Sequence, residues 1–240
     1  MTLTVVIPAA GKGTRLNLPY PKEILRLDKE QALIDYSFDF FRDYGRKDVE
    51  FVIVVNEEKL DVVKYISRYK DRYNISFTFQ NPAEMEYTGA IKSARHLFGK
   101  NNVVLLPDTI MTLRPGVDLG ETVIKSLQNT GFTFFYKAEN DPLMLRTKGA
   151  VTVDKSGNVT AYEDKPQANF VRFNGYWCSF AFTKESFDKS IAYMEKSTLK
   201  MSQSINFDST PLCNSKAIEV LDYRDLGTWE EIRKLLREAV

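Results

Sequence analysis

The stretch Leu3-Thr4-Val5-Val6-Ile7-Pro8-Ala9-Ala10-Gly11-Lys12-Gly13-Thr14-Arg15-Leu16 decides the reading of this chain. Its first six residues form a short apolar run with no alternation, the pattern of a strand buried on both faces. Two glycines follow at once. Glycines after a strand let the backbone turn tightly and present N–H groups to an anion. Lys12 and Arg15, with Lys22 after a short loop, add three cations. A dinucleotide fingerprint needs glycine at position 16, which is Leu16, and no glycine precedes Gly11 at the spacing of a Walker loop. The segment therefore reads as a strand-end phosphate cradle of another type. The plainer alternative is a tight strand-to-helix turn with solvated charges.

Working outward, strand and helix alternate over the first 110 residues. Phe51–Val55, Ile75–Gln80 and Val103–Leu106 read as strands. Residues 33–41, 60–73 and 88–98 carry apolar positions near a helical period. That rhythm predicts an α/β fold: a Rossmann-like mixed, mostly parallel central sheet with helices on both faces. The second half reads as more antiparallel. Gly131–Lys137 and Asn174–Phe182 are strand-like. Two short strands flank Asp154-Lys155-Ser156-Gly157-Asn158, a hairpin signal. Residues 184–196 and 228–239 read as helices. One domain over 1–240 is expected, with no linker inside it.

Composition bounds the function. The chain has 240 residues, 33 Lys plus Arg against 32 Asp plus Glu, and a formal net charge of +1. No global field recruits nucleic acid or an acidic membrane. With one histidine, His96, and two cysteines, Cys178 and Cys213, a Cys/His zinc site is nearly excluded. His96 is expected at the surface and Cys178 in the core. No apolar run approaches the ~20 residues of a membrane span. Nothing resembles a signal peptide, so a cytoplasmic location is the simplest expectation.

The string Ala9-Ala10-Gly11-Lys12-Gly13-Thr14-Arg15-Leu16, followed by Pro21-Lys22-Glu23, resembles the nucleotidylyltransferase superfamily, which includes the sugar-1-phosphate pyrophosphorylases. Its signature is G-x-G-T-R with a downstream P-K, and both elements are present in order. Gln80-Asn81-Pro82 with Thr88-Gly89-Ala90 resembles the base-reading segment. Leu105-Leu106-Pro107-Asp108 resembles the strand-end G-D segment, with Pro107 in place of the usual glycine. Tyr162-Glu163-Asp164-Lys165-Pro166, Asn174-Gly175-Tyr176 and Asp225-Leu226-Gly227-Thr228-Trp229 resemble the sugar-phosphate, N-x-G and closing D-x-G-T segments. The interval from Arg15 to Lys22 is shorter than in many thymidylyl and uridylyl enzymes, and similar to some uridylyl and cytidylyl relatives.

The resemblance implies a GT-A-like nucleotidyltransferase fold and Mg²⁺-dependent transfer of a nucleotidyl group from an NTP to a sugar 1-phosphate. UTP or dTTP is favoured by Gln80 and Gly89. Transfer from CTP to a sugar phosphate, alcohol phosphate or phosphonate stays open, as does a silent nucleotide-sugar binder. A glycosyltransferase would want an Asp-x-Asp motif, which is absent.

Residue roles follow from the resemblance. Residues 1–110 form the nucleotide half and 111–240 the sugar-phosphate half. Ala10, Gly11, Lys12, Gly13 and Thr14 hold the phosphates, and Gln80 and Gly89 the base. Arg15, Lys22 and Asp108 are catalytic. Asp108 and Asp225 hold Mg²⁺, although each alone reads equally as a helix or turn cap. Gly149, Glu163, Lys165 and Gly175 bind the acceptor; the two glycines read equally as a hairpin start and a strand bulge. Relatives frequently form dimers or tetramers, which leaves a homo-oligomer open.

Overall fold

The structure is a computed structural model that describes residues 2–84, 86–210 and 215–238. Cys213 lies outside them. The strands are β1 (Leu3–Pro8), β2 (Val49–Val55), β3 (Asn74–Phe79), β4 (Asn101–Val104), β5 (Thr109–Thr112), β6 (Phe132–Ala138), β7 (Gly149–Val153), β8 (Val159–Asp164), β9 (Gly175–Thr183), β10 (Ser215–Glu219) and β11 (Asp222–Asp225). The helices are α1 (Asp35–Asp39), α2 (Leu60–Ile66), α3 (Glu86–Ser93), α4 (Leu119–Leu127), α5 (Pro142–Leu145), α6 (Phe187–Leu199) and α7 (Trp229–Glu238).

Among the described residues, the main sheet runs β10-β6-β9-β4-β1-β2-β3, with β7 on β9 and β8 on β7. Strands β4, β1, β2 and β3 are parallel. Strand β9 is antiparallel to both β4 and β6 and carries the sheet into the second half. The expected parallel first half, more antiparallel second half and β7–β8 hairpin are all present, although β10 pairs parallel with β6.

Both faces of the central strands are covered, which explains their unbroken apolar runs. Leu3, Val5 and Ile7 of β1 join Phe38, Val62 and Leu119 in one core, while Val6 faces a second core with Ile91, Phe187 and Ile191. Helices α1, α2 and α4 thus cover one face, and α3 and α6 the other. On the first face Phe38 stacks between Phe51 and Tyr69, each with centroids 4.3 Å away.

The helices at 60–73 and 88–98 are shorter than the periodicity predicts. Each ends in a 3₁₀ turn, Ser67–Tyr69 and Arg95–Leu97. Residues 33–41 hold only the five-residue α1. Strands β5 and β11 and helix α4 have no counterpart in the sequence reading. No helix among the described residues is long and apolar enough to cross a membrane.

The chain leaves β1, builds β2 and β3 on one side, then returns to place β4 on the other. The carboxyl ends of β1 and β4 therefore flank a topological switch point, where open α/β sheets bind ligands. The glycine loop leaves one end and Asp108 follows the other. A third core of Leu16, Leu25, Leu33, Leu226 and Ile232 lies beneath the loop. Trp229 of α7 also donates its indole N–H to the Leu16 carbonyl at 3.0 Å. Leu226→Ala deletes a fully buried side chain from this small core. It should lower unfolding stability by about 2–5 kcal/mol, read from the urea midpoint.

Candidate active site

The glycine loop and the end of β4 open onto a cleft of 1230 Å³. Ala10, Gly11, Lys12, Arg15, Lys22 and Asp108 line it, and Gln80 lies on its far wall. Local bonds set the loop. Asn56 donates its amide to the Ala10 carbonyl at 2.7 Å. A Cβ on Gly11 would meet nothing within 4 Å, so bare backbone faces open space there. Gly13 sits at φ +66, a left-handed conformation that favours glycine, and its open side carries the Lys22 methylenes at 3.6–3.9 Å. Thr14 is exposed in the turn that follows.

Lys22 is aimed by its neighbour. Glu23 is fully buried, and its Oε2 accepts from Lys59 Nζ at 2.8 Å, also buried. Its other oxygen, Oε1, is buried with no partner among the described residues. Burial pushes the Glu23 carboxyl above its ordinary value, against the pull of Lys59. An anchor this costly fixes the 21–25 turn. From it the Lys22 ammonium reaches the Asp108 carboxylate.

The two acids meet through the backbone. Strands β5 and β11 pair antiparallel, with Asp225 opposite Thr109. One step further, Leu226 N–H donates to the Asp108 carbonyl at 2.9 Å. Asp225 accepts from Lys148 Nζ at 2.8 Å through Oδ2, and from Gly227 N–H at 3.0 Å through Oδ1. The latter contact is the turn cap that its sequence position also suggested. Burial alone would raise the Asp225 carboxyl, but Lys148, the Gly227 N–H and Arg15 outweigh it and hold the group below its ordinary value. The Arg15 guanidinium stands over Gly227, where a Cβ would lie 2.7 Å from it. No three His, Cys, Asp or Glu side chains converge among the described residues. A metal here would have two hard carboxylate donors from adjoining backbone positions and would take the rest of its shell from phosphate and water. That arrangement suits Mg²⁺.

A family model for nucleotidyl transferases matches residues 4–239. The chain belongs to the nucleotidyl transferase family. Its fold is similar to that of a structure described as a glucose-1-phosphate thymidylyltransferase from Bacillus anthracis, with a TM-score of 0.73, 16% identity, and coverage of 100% of this chain and 95% of that one. It is also similar to a UDP-glucose pyrophosphorylase complexed with UDP-glucose, at 0.73 and 15%, covering 100% and 98%. A UDP-glucose pyrophosphorylase from Acinetobacter baumannii aligns at 0.71 and 18%, covering 99% and 93%. At such identities the likeness is one of fold. No curated protein matches the sequence.

In this nucleotidyl transferase several expected contacts are taken by the protein itself. Gln80 donates its amide to the Glu84 and Glu86 carbonyls, at 2.7 and 3.3 Å. Gly89 lies in α3, where a Cβ would fall 2.4 Å from the Glu84 backbone. The chain's own loop, rather than a base, fills the space that this glycine leaves. Gly149 makes room for Trp177, whose Nε1 would stand 1.8 Å from a Cβ, and Gly175 makes room for Tyr136 and the Lys137 carbonyl. Packing accounts for the lack of a side chain at both; Gly149 opens the β7–β8 hairpin as read, whereas the register shift in β9 falls at Cys178 and not at Gly175.

Glu163 is also spent: its two oxygens hold Arg172 and Lys200. The carboxylate that faces inward is its neighbour Asp164. Burial raises the Asp164 carboxyl, Lys165 and Lys200 oppose that, and Glu86 adds to it. Its charge is felt by Tyr87, whose hydroxyl is pushed up first by burial and then by Asp164. Both Tyr87 and Glu86 line the cleft. The signal was in the sequence. Tyr162 is a core residue, and a strand's period of two puts Asp164, not Glu163, on the same face. Lys165 is exposed at φ +45 at the end of this strand. Lys148, which holds Asp225, has no motif to announce it. His96 is exposed and Cys178 buried, as expected.

Two glycine substitutions separate the cradle from the packing. Gly11→Ala should leave the melting temperature unchanged, because its Cβ enters open space. It should weaken NTP binding about tenfold by crowding the N–H groups, measured by titration calorimetry. Gly149→Ala collides with Trp177 and should destabilise the fold by about 1–3 kcal/mol, seen as a lower urea midpoint.

Proposed function

We propose that this nucleotidyl transferase joins an NTP, UTP or dTTP by preference, to a sugar 1-phosphate, giving an NDP-sugar and pyrophosphate. One observation carries the reading. The glycine loop, Lys22 and Asp108 share the switch-point cleft, and Asp225 is bonded in beside Asp108 from the far end of the chain. The printed names of the structural neighbours support a thymidylyl or uridylyl donor and glucose-1-phosphate-like chemistry. Residues 1–110 would serve the nucleotide and 111–240 the acceptor, apart from Asp225.

An acceptor phosphate oxygen attacks the α-phosphorus in line. A new O–P bond forms, and the bond to the β-phosphate oxygen breaks with its electrons on the departing pyrophosphate. The nucleophile is already anionic, so no strong base is required. The barrier is the crowding of negative charge, which fixed donors and cations relieve. N–H groups from Gly11 to Thr14 would hold the β- and γ-phosphates. Arg15, a planar fork of donors, suits the leaving pyrophosphate. Lys22, a point charge, suits the α-phosphate. Lys165 would meet the acceptor's phosphate, and Asp164 the acceptor's hydroxyls in place of Glu163. Mg²⁺ held by Asp108 and Asp225 would supply charge neutralisation on the phosphate oxygens. The short interval from Arg15 to Lys22 favours one second reading, with CTP as donor.

A coupled pyrophosphate-release assay over UTP, dTTP, CTP and a panel of sugar phosphates decides the donor and acceptor. Release with no pair, while an NTP still binds, would identify a silent nucleotide binder. Lys22→Ala should keep its melting temperature and lose about 10²–10³ in kcat; unchanged turnover removes Lys22 from the chemistry. EDTA should abolish turnover, and Asp108→Asn should shift the Mg²⁺ requirement to higher concentration.

A further inference from the structure

We propose that Lys148, which pairs with Asp225, is a further acceptor-binding residue that turns to the acceptor's phosphate when a metal takes that carboxylate. This deepens the sugar-phosphate reading and rests on it.

Two carboxylates each hold one ammonium group, and the Arg15 guanidinium stands beside Asp225 as well. Lys22 holds Asp108, and Lys148 Nζ holds Asp225 at 2.8 Å, while the backbones of the two acids adjoin through Leu226 N–H and the Asp108 carbonyl. A divalent ion on those carboxylates brings the same charge as the two ammonium groups and competes with both for the same oxygens. Lys22 has a destination in the α-phosphate. Lys148 needs one too, since an ammonium left without an anion in a part-buried site is disfavoured.

The ladder beside it points to that destination. Gly149 pairs with Asp164 at the end of the β7–β8 hairpin, and one rung further Lys165 N–H donates to the Lys148 carbonyl at 2.9 Å. Lys148 and Lys165 are therefore opposed at the end of the ladder. Lys165 is also held at φ +45, an uncommon conformation for a residue with a side chain. Among the described residues its ammonium makes no hydrogen bond. An ammonium with no hydrogen bond, a strained backbone and a second lysine opposite it in the backbone register together suit a dianionic phosphate monoester held between two lysines. The ligand class is a phosphomonoester, not a neutral alcohol.

The test uses Lys148→Gln and Lys148→Arg in the full-length protein. Mn²⁺ binding, read by electron paramagnetic resonance without nucleotide or acceptor, should tighten about fivefold in Lys148→Gln, because the competitor for Asp225 is gone. In the coupled assay, with glucose 1-phosphate or the panel's best acceptor varied, its acceptor KM should rise about tenfold. The KM for NTP should stay put. Lys148→Arg should recover most of the acceptor KM. Mn²⁺ affinity equal to wild type, or an unmoved acceptor KM, overturns the proposal. If wild-type protein releases pyrophosphate with none of the sugar phosphates in the panel, the sugar-phosphate reading falls instead, and the Mn²⁺ arm still decides whether Lys148 occupies Asp225.

Discussion

The antiparallel pairing of β5 with β11, continued by the Leu226 N–H to Asp108 carbonyl bond, brings two distant parts of this chain to one place. That bond lies one step beyond the last rung of the ribbon. Without that pairing Asp108 would stand alone at the end of β4, and Asp225 would be a cap before the last helix. With it, the backbones of the two acids adjoin at the edge of the sheet where the glycine loop turns. The third core supports the same junction from below, since Leu16 of the loop and Leu226 after the ribbon pack together. Loop and ribbon therefore stand or fall as a unit.

Charge organises the site around that junction. Asp108 and Asp225 each hold one lysine, and Arg15 stands beside Asp225. In a part-buried cleft such pairs place cations in advance, as electrostatic preorganisation requires. The buried Glu23–Lys59 pair contributes differently. It is too deep to meet substrate, and one Glu23 oxygen has no partner among the described residues. Its cost makes sense as rigidity in the turn that carries Lys22.

Much of the cradle was legible because its signals are local. An apolar run, two glycines and nearby cations lie within one stretch, and each has a local physical meaning. The acceptor side was less legible. Glu163 and Asp164 are adjacent acids, and only strand phase tells which faces in; the core position of Tyr162 supplies that phase. Gly149 and Gly175 look like openings for a ligand, yet aromatic side chains fill the space beside both. A glycine in a sequence marks missing bulk without saying what uses the room.

The sequence by itself determined the alternation of strand and helix, the parallel first half, the hairpin and the tight glycine loop after β1, because hydrophobic period and glycine geometry act over a few residues. Only the tertiary structure decided that Asp225 lies beside Asp108, that Lys148 holds it, and that Glu23 is buried against Lys59. Those contacts join residues from separate elements, and the folded sheet alone sets the distances between them.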